Sequence, residues 1–329
     1  MRMEVQEIKF RRHGLRSLAF RSTFPRAPQE TSGVRICVIF NPAAKGDKAR
    51  RFRRHVDAIR TGCTLKLTTG PDAARLLAAE AVREGFDTVV AAGGDGTLNE
   101  VLNGIGDVPG GFERVRLGVW PLGTTNVFAR ELGIPTRLEE AWLVIRRGQE
   151  TRIDLPSIDH AAAGTTRRRY FAQMAGAGLD ARAIELLHWP LKKKIGQLAY
   201  VVAGINALRR TPSKITFADG ANLVTGELVL LGNGRLYGGR FVIFPRANVR
   251  DGKLEVCVFP RTNWITLLWC APRLLTLGTL PPKAVRSFQA ESYTLTSSSI
   301  TPLQVDGELI GHLPATFSLQ RQGLRVIVP

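Results

Sequence analysis

The sequence predicts an α/β domain with a parallel sheet, followed by a mostly antiparallel β domain. From residue 34 to about residue 152, short apolar runs alternate with helix-like segments. Such alternation is typical of a parallel sheet with helices on both faces. After about residue 153, short strand-like runs are separated by Gly, Asn, Asp and Pro, which indicates antiparallel strands. The 329 residues suffice for two domains with separate cores.

The first domain is predicted to contain four strands. Between them lie a basic helix at about residues 47–60 and an Ala-rich helix that begins after Pro71 and ends near Gly85. Ligands of parallel sheets bind at the carboxyl ends of the strands, so the turns at these ends are expected to share one site. The predicted strands are residues 35–40, 64–68, 88–92 and 115–120.

The second domain is predicted to contain seven strands and one long helical region, at about residues 180–210. The apolar runs are short, and turn residues bound each of them. The predicted strands are residues 168–175, 213–218, 227–231, 240–244, 253–259, 293–296 and 316–319.

Composition describes a folded protein with an anionic partner. Hydrophobic residues make up 44% of the chain, and the formal net charge is +18. Nucleic acid, an acidic membrane surface and a phosphorylated ligand all fit this charge. Aromatic residues are few and form no base-stacking motif, so we do not expect nucleic acid. The four cysteines are widely scattered, which indicates reduced thiols in a cytosolic protein.

Neither a secretory signal nor a membrane-spanning helix is predicted. The chain has no run of about 18 apolar residues. Residues 1–33 carry seven Lys or Arg against three Glu and no continuous apolar segment. We expect them to form a basic, disordered extension.

The most informative segment is the glycine turn, residues 93–97, which joins a predicted strand to a predicted helix. Its glycines permit positive φ angles or the close approach of another group. The free N–H groups and the positive helix end form a site for phosphate. Asp95 cannot itself bind a phosphate, because like charges repel. Asp95 is better interpreted as binding a metal ion or orienting a neighbour. A phosphate site beside a carboxylate indicates phosphoryl transfer.

A second strand, turn and helix start follow at residues 120–135. We name residues 123–126 the Gly-Thr-Thr-Asn turn. Thr125 or Asn126 can cap the following helix while neighbouring groups bind a ligand.

The ordered set of motifs resembles the catalytic family of diacylglycerol kinases, in particular bacterial soluble lipid kinases related to sphingosine kinases. The glycine turn alone is less specific, because NAD kinases and phosphofructokinases have similar turns. Together with the late Asp306-Gly-Glu308 segment it becomes specific. The matching segments, in the family's order, are residues 41–42, 93–101, 121–126, 129–130, 153–155, 175–180, 232–234, 237–239, 245–247, 251–252 and 305–308.

This resemblance implies a Rossmann-like, ATP-binding α/β domain similar to those of phosphofructokinase and NAD kinase, and a C-terminal β-sandwich with an inserted helix. A cleft between them would hold ATP, Mg²⁺ and the lipid headgroup. The C-terminal tail is expected to return to the first domain. The implied boundaries are therefore residues 34–152 plus about 313–329, and residues 153–312.

The resemblance also assigns the site residues. Glu308 is the expected base near the acceptor hydroxyl, and Asp306 supports it or the metal; by itself, this Asp-Gly-Glu segment also fits a hairpin turn. The magnesium ligands implied are Asp95, Asp154 and, more weakly, Asp251. The nucleotide-binding residues implied are Asn41, Gly93, Gly94, Asp95, Gly96, Thr97, Glu100, Gly123, Thr124 and Asn126.

One position departs from the family pattern. Many diacylglycerol kinases carry Asp after the Asn of the Gly-Thr-Thr-Asn turn, and this chain has Val127. Sphingosine kinase relatives have a small apolar residue there, so this position does not decide which lipid is the acceptor. Diacylglycerol is the default acceptor. The alternatives are a sphingosine or long-chain-base kinase, an NAD kinase, and a nucleotide-binding, membrane-associated protein without catalysis.

A lipid acceptor implies contact with a membrane. Trp189 stands beside three lysines, at residues 192–194, a pairing suited to an anionic interface. The apolar segment from Trp264 to Leu280 is interrupted by Pro272 and Arg273, so it can lie in the interface but not span it. We therefore expect a cytoplasmic protein bound peripherally to the inner face of the cell membrane. A homodimer is a further expectation.

Overall fold

The computed structural model describes residues 33–42, 62–162, 164–187 and 198–329. The predicted basic helix at residues 47–60, residues 1–32 of the extension, and the Trp-Lys segment at residues 189–194 lie outside the described residues. No helix in the described part of the chain has the length and apolar content needed to cross a bilayer.

In the first part of the chain, the residues that the structure describes form four parallel strands in the spatial order β2-β1-β3-β4. Their limits agree with the predicted ones to within two residues. Trp120, at the end of the fourth strand, stacks on Trp142 at 4.7 Å and donates its indole N–H to the Leu138 carbonyl. The elements are β1 Ile36–Phe40, β2 Thr64–Leu67, α1 Ala73–Arg83, β3 Thr88–Gly93, α2 Asp95–Gly106, α3 Gly111–Arg114, β4 Arg116–Pro121, α4 Val127–Glu131 and α5 Leu138–Arg147.

The second part of the chain is mostly antiparallel, and its described residues contain three more α-helices and a short 3₁₀ helix, Pro282–Ala284. Its elements are β5 Glu150–Ala162, β6 Thr165–Tyr170, β7 Met174–Gly178, α6 Leu179–Glu185, α7 Leu198–Leu208, β8 Ile215–Ala218, β9 Leu223–Gly226, β10 Leu228–Gly232, β11 Leu236–Tyr237, β12 Phe241–Val242, β13 Leu254–Phe259, α8 Trp264–Leu277, β14 Arg286–Ala290, β15 Ser292–Ser297, β16 Pro302–Val305, β17 Glu308–His312 and β18 Ala315–Ile327.

One long sheet runs through both parts of the chain, in the order β2-β1-β3-β4-β18-β15-β8-β9. The last strand, β18, pairs with β4 in parallel through Val326 and Leu117, and with β5 in antiparallel fashion. A second sheet has the order β14-β13-β10-β7-β16-β17. Buried residues of both sheets, such as Phe217, Val256 and Phe317, form one core, as in a β-sandwich. The predicted fold class, α/β plus a β-sandwich, is confirmed.

Two predicted elements differ from the structure, and the long strand β5 was not predicted; the first of these differences matters for the site. The predicted strand at residues 168–175 is two strands, because the extended pairing is interrupted between Tyr170 and Met174. The backbone N–H groups released by this break donate to Asp306. The long strand β5 was missed, because Pro156 and polar side chains obscure its pattern. In the predicted helix at residues 180–210, α6 and α7 are separate elements.

Candidate active site

The turns after three parallel strands meet at one edge of the sheet. The backbone N–H of Asn41, after β1, donates to the Ala92 carbonyl at 3.4 Å. The N–H groups of Leu122 and Gly123, after β4, donate to the Gly93 carbonyl at 2.9 and 3.2 Å. The carboxyl ends of β1, β3 and β4 therefore form a single surface, as the sequence predicts.

The glycines of this surface are needed for close approach. Gly94 has an extended backbone with φ −94°, and Gly93 and Gly96 also lie outside the positive-φ region. A Cβ on Gly123 would lie 2.6 Å from the Gly94 Cα, and a Cβ on Gly93 would lie 2.4 Å from the Thr97 Oγ1. The glycine turn and the Gly-Thr-Thr-Asn turn are thus in backbone contact.

We expect Gly123→Ala to weaken nucleotide binding by about tenfold or more, because the added methyl group must push the two turns apart. Gly70→Ala is the matched control, since nothing lies within 4 Å of its Cβ position. Titration of a fluorescent ATP analogue measures both affinities. Equal affinities for the two variants would show that the contact between the turns is irrelevant to binding.

Asp95 lies beside the Gly-Thr-Thr-Asn turn, where it lines the same small cavity as Asn126. It is the first residue of α2, and the backbone N–H groups of Val127, Phe128 and Asn126, at the start of α4, lower the pKa of its carboxylate. Burial, and then the charge of Asp306, raise the pKa of Asp95 to about 6. This position fits both predicted roles, the orientation of a neighbour and the binding of a metal ion. Val127 is buried, and its N–H is one of the groups that lower this pKa.

Substitutions at Asp95 separate the effect of its charge from that of its size. Asp95→Asn keeps the size of the side chain but loses the charge, so we expect phosphoryl transfer to fall by roughly 10²–10³ with little change in stability. Asp95→Ala also removes the polar side chain beside the N–H groups at the start of α4, which should lower the free energy of unfolding by about 1 kcal/mol.

Kinetics and urea unfolding of both Asp95 variants check this prediction. Asp219→Asn is the control, because Asp219 accepts backbone N–H groups, from Ala221 and Asn222, in an exposed turn. Full activity of Asp95→Asn would show that the carboxylate charge has no part in transfer.

Glu308 lies against the first turn of α2, although 211 residues separate it from Thr97. A Cβ on Gly96 would lie 2.9 Å from the Glu308 Oε1. The other oxygen, Oε2, accepts from the Arg169 guanidinium at 3.0 Å. Burial raises the pKa of Glu308 to about 7, and the Arg169 charge opposes this shift. The carboxylate is therefore poised to bind or release a proton near neutral pH.

Asp306 anchors the turn that carries Glu308. Its two oxygens accept from the N–H groups of Ala172, Gln173 and Met174 at 2.8, 3.0 and 3.1 Å. The side-chain amide of Asn99, on α2, donates a fourth hydrogen bond at 2.8 Å. Burial raises the pKa of Asp306, while these four donors act in the opposite direction. Asp306 thus fixes the position of Glu308 relative to α2.

Sequence reasoning missed Arg169 and the role of Asn99. The Arg169 guanidinium donates to the Asn99 Oδ1 at 2.7 Å as well as to Glu308. Asn103 adds contacts with both backbone groups of Tyr170. Asn99 and Asn103 are buried one turn apart on α2. Two asparagines at this spacing in an apolar helix could have indicated a buried polar contact. Nothing in the sequence distinguishes Arg169 from Arg167 and Arg168.

The remaining predicted nucleotide-binding residues surround the same edge. Thr97 is buried against Gly93, Asn126 is buried and bonds with both backbone groups of Gly123, and Thr124 is exposed. Glu100 accepts the backbone N–H of Ala74 at 3.0 Å, at the start of α1. Their contacts with a nucleotide stay predictions.

Asp154 and Asp251 lie together at another turn. The two oxygens of Asp154 accept from the N–H groups of Gly252 and Gln322 at 2.7 and 2.8 Å. The Asp251 carboxylate accepts the N–H of Lys253 at 3.0 Å. These bonds hold residues 248–253 against β18, and a metal-binding role for either residue stays a prediction.

Of the three predicted magnesium ligands, Asp95 fits the ion best. Burial and the Asp306 charge make its ionised form unfavourable, and a cation would compensate for that. Within residues 33–42, 62–162, 164–187 and 198–329, no cluster of three or more His, Cys, Asp or Glu side chains forms. Proteins commonly bind Mg²⁺ through one or two carboxylates, with phosphates and water as the other ligands. The site therefore fits an ion bound together with nucleotide phosphates.

Comparisons with known proteins agree with this architecture. Residues 35–158 match the diacylglycerol kinase catalytic domain, and residues 173–328 match the YegS C-terminal NAD kinase beta sandwich-like domain. The chain is 32% identical to a diacylglycerol kinase of Staphylococcus saprophyticus over 260 residues, which cover 77% of this chain and 80% of the relative. It is also 32% identical to a diacylglycerol kinase of Staphylococcus aureus strain JH9 over 264 residues, or 78% and 79% of the two chains.

Solved structures share the fold. A crystal structure of a diacylglycerol kinase from Bacillus anthracis superposes with a TM-score of 0.71 at 21% identity, over 91% of this chain and 99% of that one. Yeast NADH kinase complexed with NADH gives a TM-score of 0.50 at 11% identity, over 90% and 84% of the two chains.

The fold and the two matching domains together define a kinase with an α/β catalytic domain and a C-terminal β-sandwich-like domain. The enzyme is a lipid kinase. The chain belongs to the diacylglycerol kinase family, which confirms the resemblance drawn from its motifs. Membership of a kinase family implies the use of ATP.

Proposed function

We propose that this enzyme transfers the γ-phosphate of ATP, in the presence of Mg²⁺, to the free hydroxyl of diacylglycerol and so forms phosphatidic acid. The observation that carries the proposal is Glu308. Its carboxylate has a pKa of about 7 and lies against the N-terminal turn of α2, next to the glycine turn. A base near neutrality beside a phosphate site suits phosphoryl transfer to an alcohol.

In this proposal, the chain's own residues mainly position the reactants. The N–H groups at residues 94–97 bind the phosphates at the positive end of α2. Glu308 accepts a hydrogen bond from the acceptor hydroxyl and takes its proton late in the transfer, while Arg169 and Asp306 fix the carboxylate. When bound at Asp95, Mg²⁺ would supply charge neutralisation for the transferring phosphate.

The lipid acceptor requires the enzyme to work at a surface, so we also propose that it is cytoplasmic and binds the inner, anionic face of the cell membrane. The net charge of +18 supports this partner. Names of the Staphylococcus relatives support diacylglycerol as the acceptor. Val127 supports the second candidate, a long-chain-base kinase, because the position usually occupied by Asp is apolar.

An acceptor panel tests the proposal. The enzyme is incubated with labelled ATP and diacylglycerol, sphingosine, ceramide or NAD, with and without Mg²⁺ and with a chelator as control. We expect label in diacylglycerol only when Mg²⁺ is present. Label in sphingosine alone would support the second candidate, and label in NAD alone would overturn both. ATP binding without transfer to any acceptor would indicate a non-catalytic protein.

A further inference from the structure

Helix α8, Trp264–Leu277, presents an apolar face to solvent. At 100° per residue, Ile265, Leu268 and Leu275 fall on one side, and they are 78%, 69% and 71% exposed. Trp264 and Trp269 flank them at 45% and 49% exposure. The opposite side, with the buried Cys270 and the partly buried Leu274, packs on the protein. This helix therefore has apolar residues on the side where a surface helix is normally polar.

The stretch of chain that contains α8 is basic. Between Glu255 and Glu291 the sequence contains no acidic residue, and it contains four basic ones, all exposed: Arg261, Arg273, Lys283 and Arg286. Glu227, which accepts the N–H of Thr262 just before the helix, is buried and paired with Lys214. An exposed apolar face bordered by cations is the combination that binds an anionic bilayer. A second copy of this chain is a poorer occupant, since a symmetric contact would bring the same cations together.

The length of α8 suits a helix lying along a surface. Its 14 residues span about 21 Å, which is shorter than the roughly 30 Å of a bilayer core. The Asn263 side chain caps its first turn by accepting the N–H of Thr266 at 2.9 Å. This N–H therefore needs no acceptor from a partner molecule. Tryptophan is the residue type enriched at membrane interfaces.

The end of α8 is linked to the active site through the hairpin formed by β11 and β12. The N–H of Val242, on β12, donates to the Gly278 carbonyl at 2.6 Å. At the hairpin tip, a Cβ on Gly239 would lie 3.3 Å from the Thr125 side chain in the Gly-Thr-Thr-Asn turn. A bilayer under α8 would thus lie close to the mouth of the site.

We propose that α8 is the membrane-docking element of this enzyme, lying in the interface of an anionic bilayer with Ile265, Leu268 and Trp269 among the acyl chains. The proposal rests on the proposed function, because a lipid acceptor is the reason why the enzyme needs a bilayer. It deepens that function by assigning the docking surface to one helix.

The test compares two double variants. Ile265→Glu/Leu268→Glu places two charges on α8, and Leu223→Glu/Ile300→Glu places two charges at residues that are 76% and 77% exposed elsewhere. Both lower the net charge equally. Binding to vesicles of phosphatidylcholine with or without phosphatidylglycerol is measured by flotation. We expect the α8 variant to lose at least about tenfold in affinity for the anionic vesicles, and the control variant to bind like the wild type.

Phosphoryl transfer separates docking from catalysis. The α8 variant should lose at least about tenfold in activity on diacylglycerol in vesicles, and keep wild-type activity on monomeric short-chain diacylglycerol. An enzyme that transfers phosphate to neither form would refute the proposed function, while flotation would still test α8. Thermal unfolding checks the fold, and Ile265→Gln/Leu268→Gln replaces the Glu pair if that pair unfolds.

Three outcomes would overturn the docking proposal. The first is wild-type vesicle binding by the α8 variant. The second is an equal loss in both variants, which would reflect net charge alone. The third is unchanged vesicle binding together with a lower molecular mass in sedimentation, which would identify α8 as an interface between two copies of the chain.

Discussion

Glu308→Gln should lower kcat by about 10³-fold while ATP binding stays within about twofold of wild type, because the amide cannot accept the hydroxyl proton. Glutamine keeps the size of the side chain and can still accept from Arg169, whose guanidinium donates to the Glu308 Oε2 at 3.0 Å. Glu113→Gln is the matched control, since Glu113 is an exposed glutamate in α3, away from the three turns.

The same residue predicts the pH profile of the wild-type enzyme. Burial raises the pKa of Glu308 to about 7, so the carboxylate is ionised and active as a base above this pH. Activity, measured as kcat/KM, should fall about tenfold for each pH unit below 7. Below about pH 6 the slope should steepen, because Asp95, with a pKa of about 6, is protonated as well. A flat profile between pH 5.5 and about 8 would contradict the role of Glu308.

Asp306→Ala should lower the free energy of unfolding by about 2–4 kcal/mol and abolish activity. It removes the acceptor of the N–H groups of Ala172, Gln173 and Met174 and of the Asn99 amide. These N–H groups lie where the strand is interrupted between β6 and β7. No neighbouring strand can therefore replace the Asp306 carboxylate as their acceptor. Urea unfolding and the transfer assay measure the two effects.

Two variants distinguish this anchor from an ordinary turn. Asp306→Asn keeps one acceptor oxygen and tolerates the observed φ of +46°, so it should recover part of the stability. Asp219→Ala removes an aspartate that accepts N–H groups in an exposed turn, and its loss should stay near 1 kcal/mol. An equally small loss for Asp306→Ala would show that residues 172–174 are held by other contacts.

The parallel strands and the shared edge could be predicted because the apolar runs are short, clearly bounded and in alternation with helices. The meeting of the glycine turn with the Gly-Thr-Thr-Asn turn follows from the rule for strand ends. The approach of Glu308 to α2 could be inferred only from a family resemblance, since the two segments are distant in sequence and no periodicity links them.

Other features could not be predicted because they depend on particular tertiary contacts. The residues at 168–175 have the composition of one strand, but Asp306 stabilises a break in it by accepting three N–H groups. Arg169 becomes part of the site only because β6 places it beside Asn99 and Glu308. The apolar character of α8 was visible in the sequence, whereas its orientation toward solvent was not.

Single-turnover transfer from ATP to diacylglycerol, with enzyme in excess and Mg²⁺ present, tests the central claim most directly. This measurement isolates the chemical step from product release. We predict that the wild type and Glu113→Gln form labelled phosphatidic acid at the same rate, and that Glu308→Gln, with ATP equally bound, is slower by about 10³-fold. A wild-type rate for Glu308→Gln would contradict the assignment of Glu308 as the base and with it the proposed mechanism.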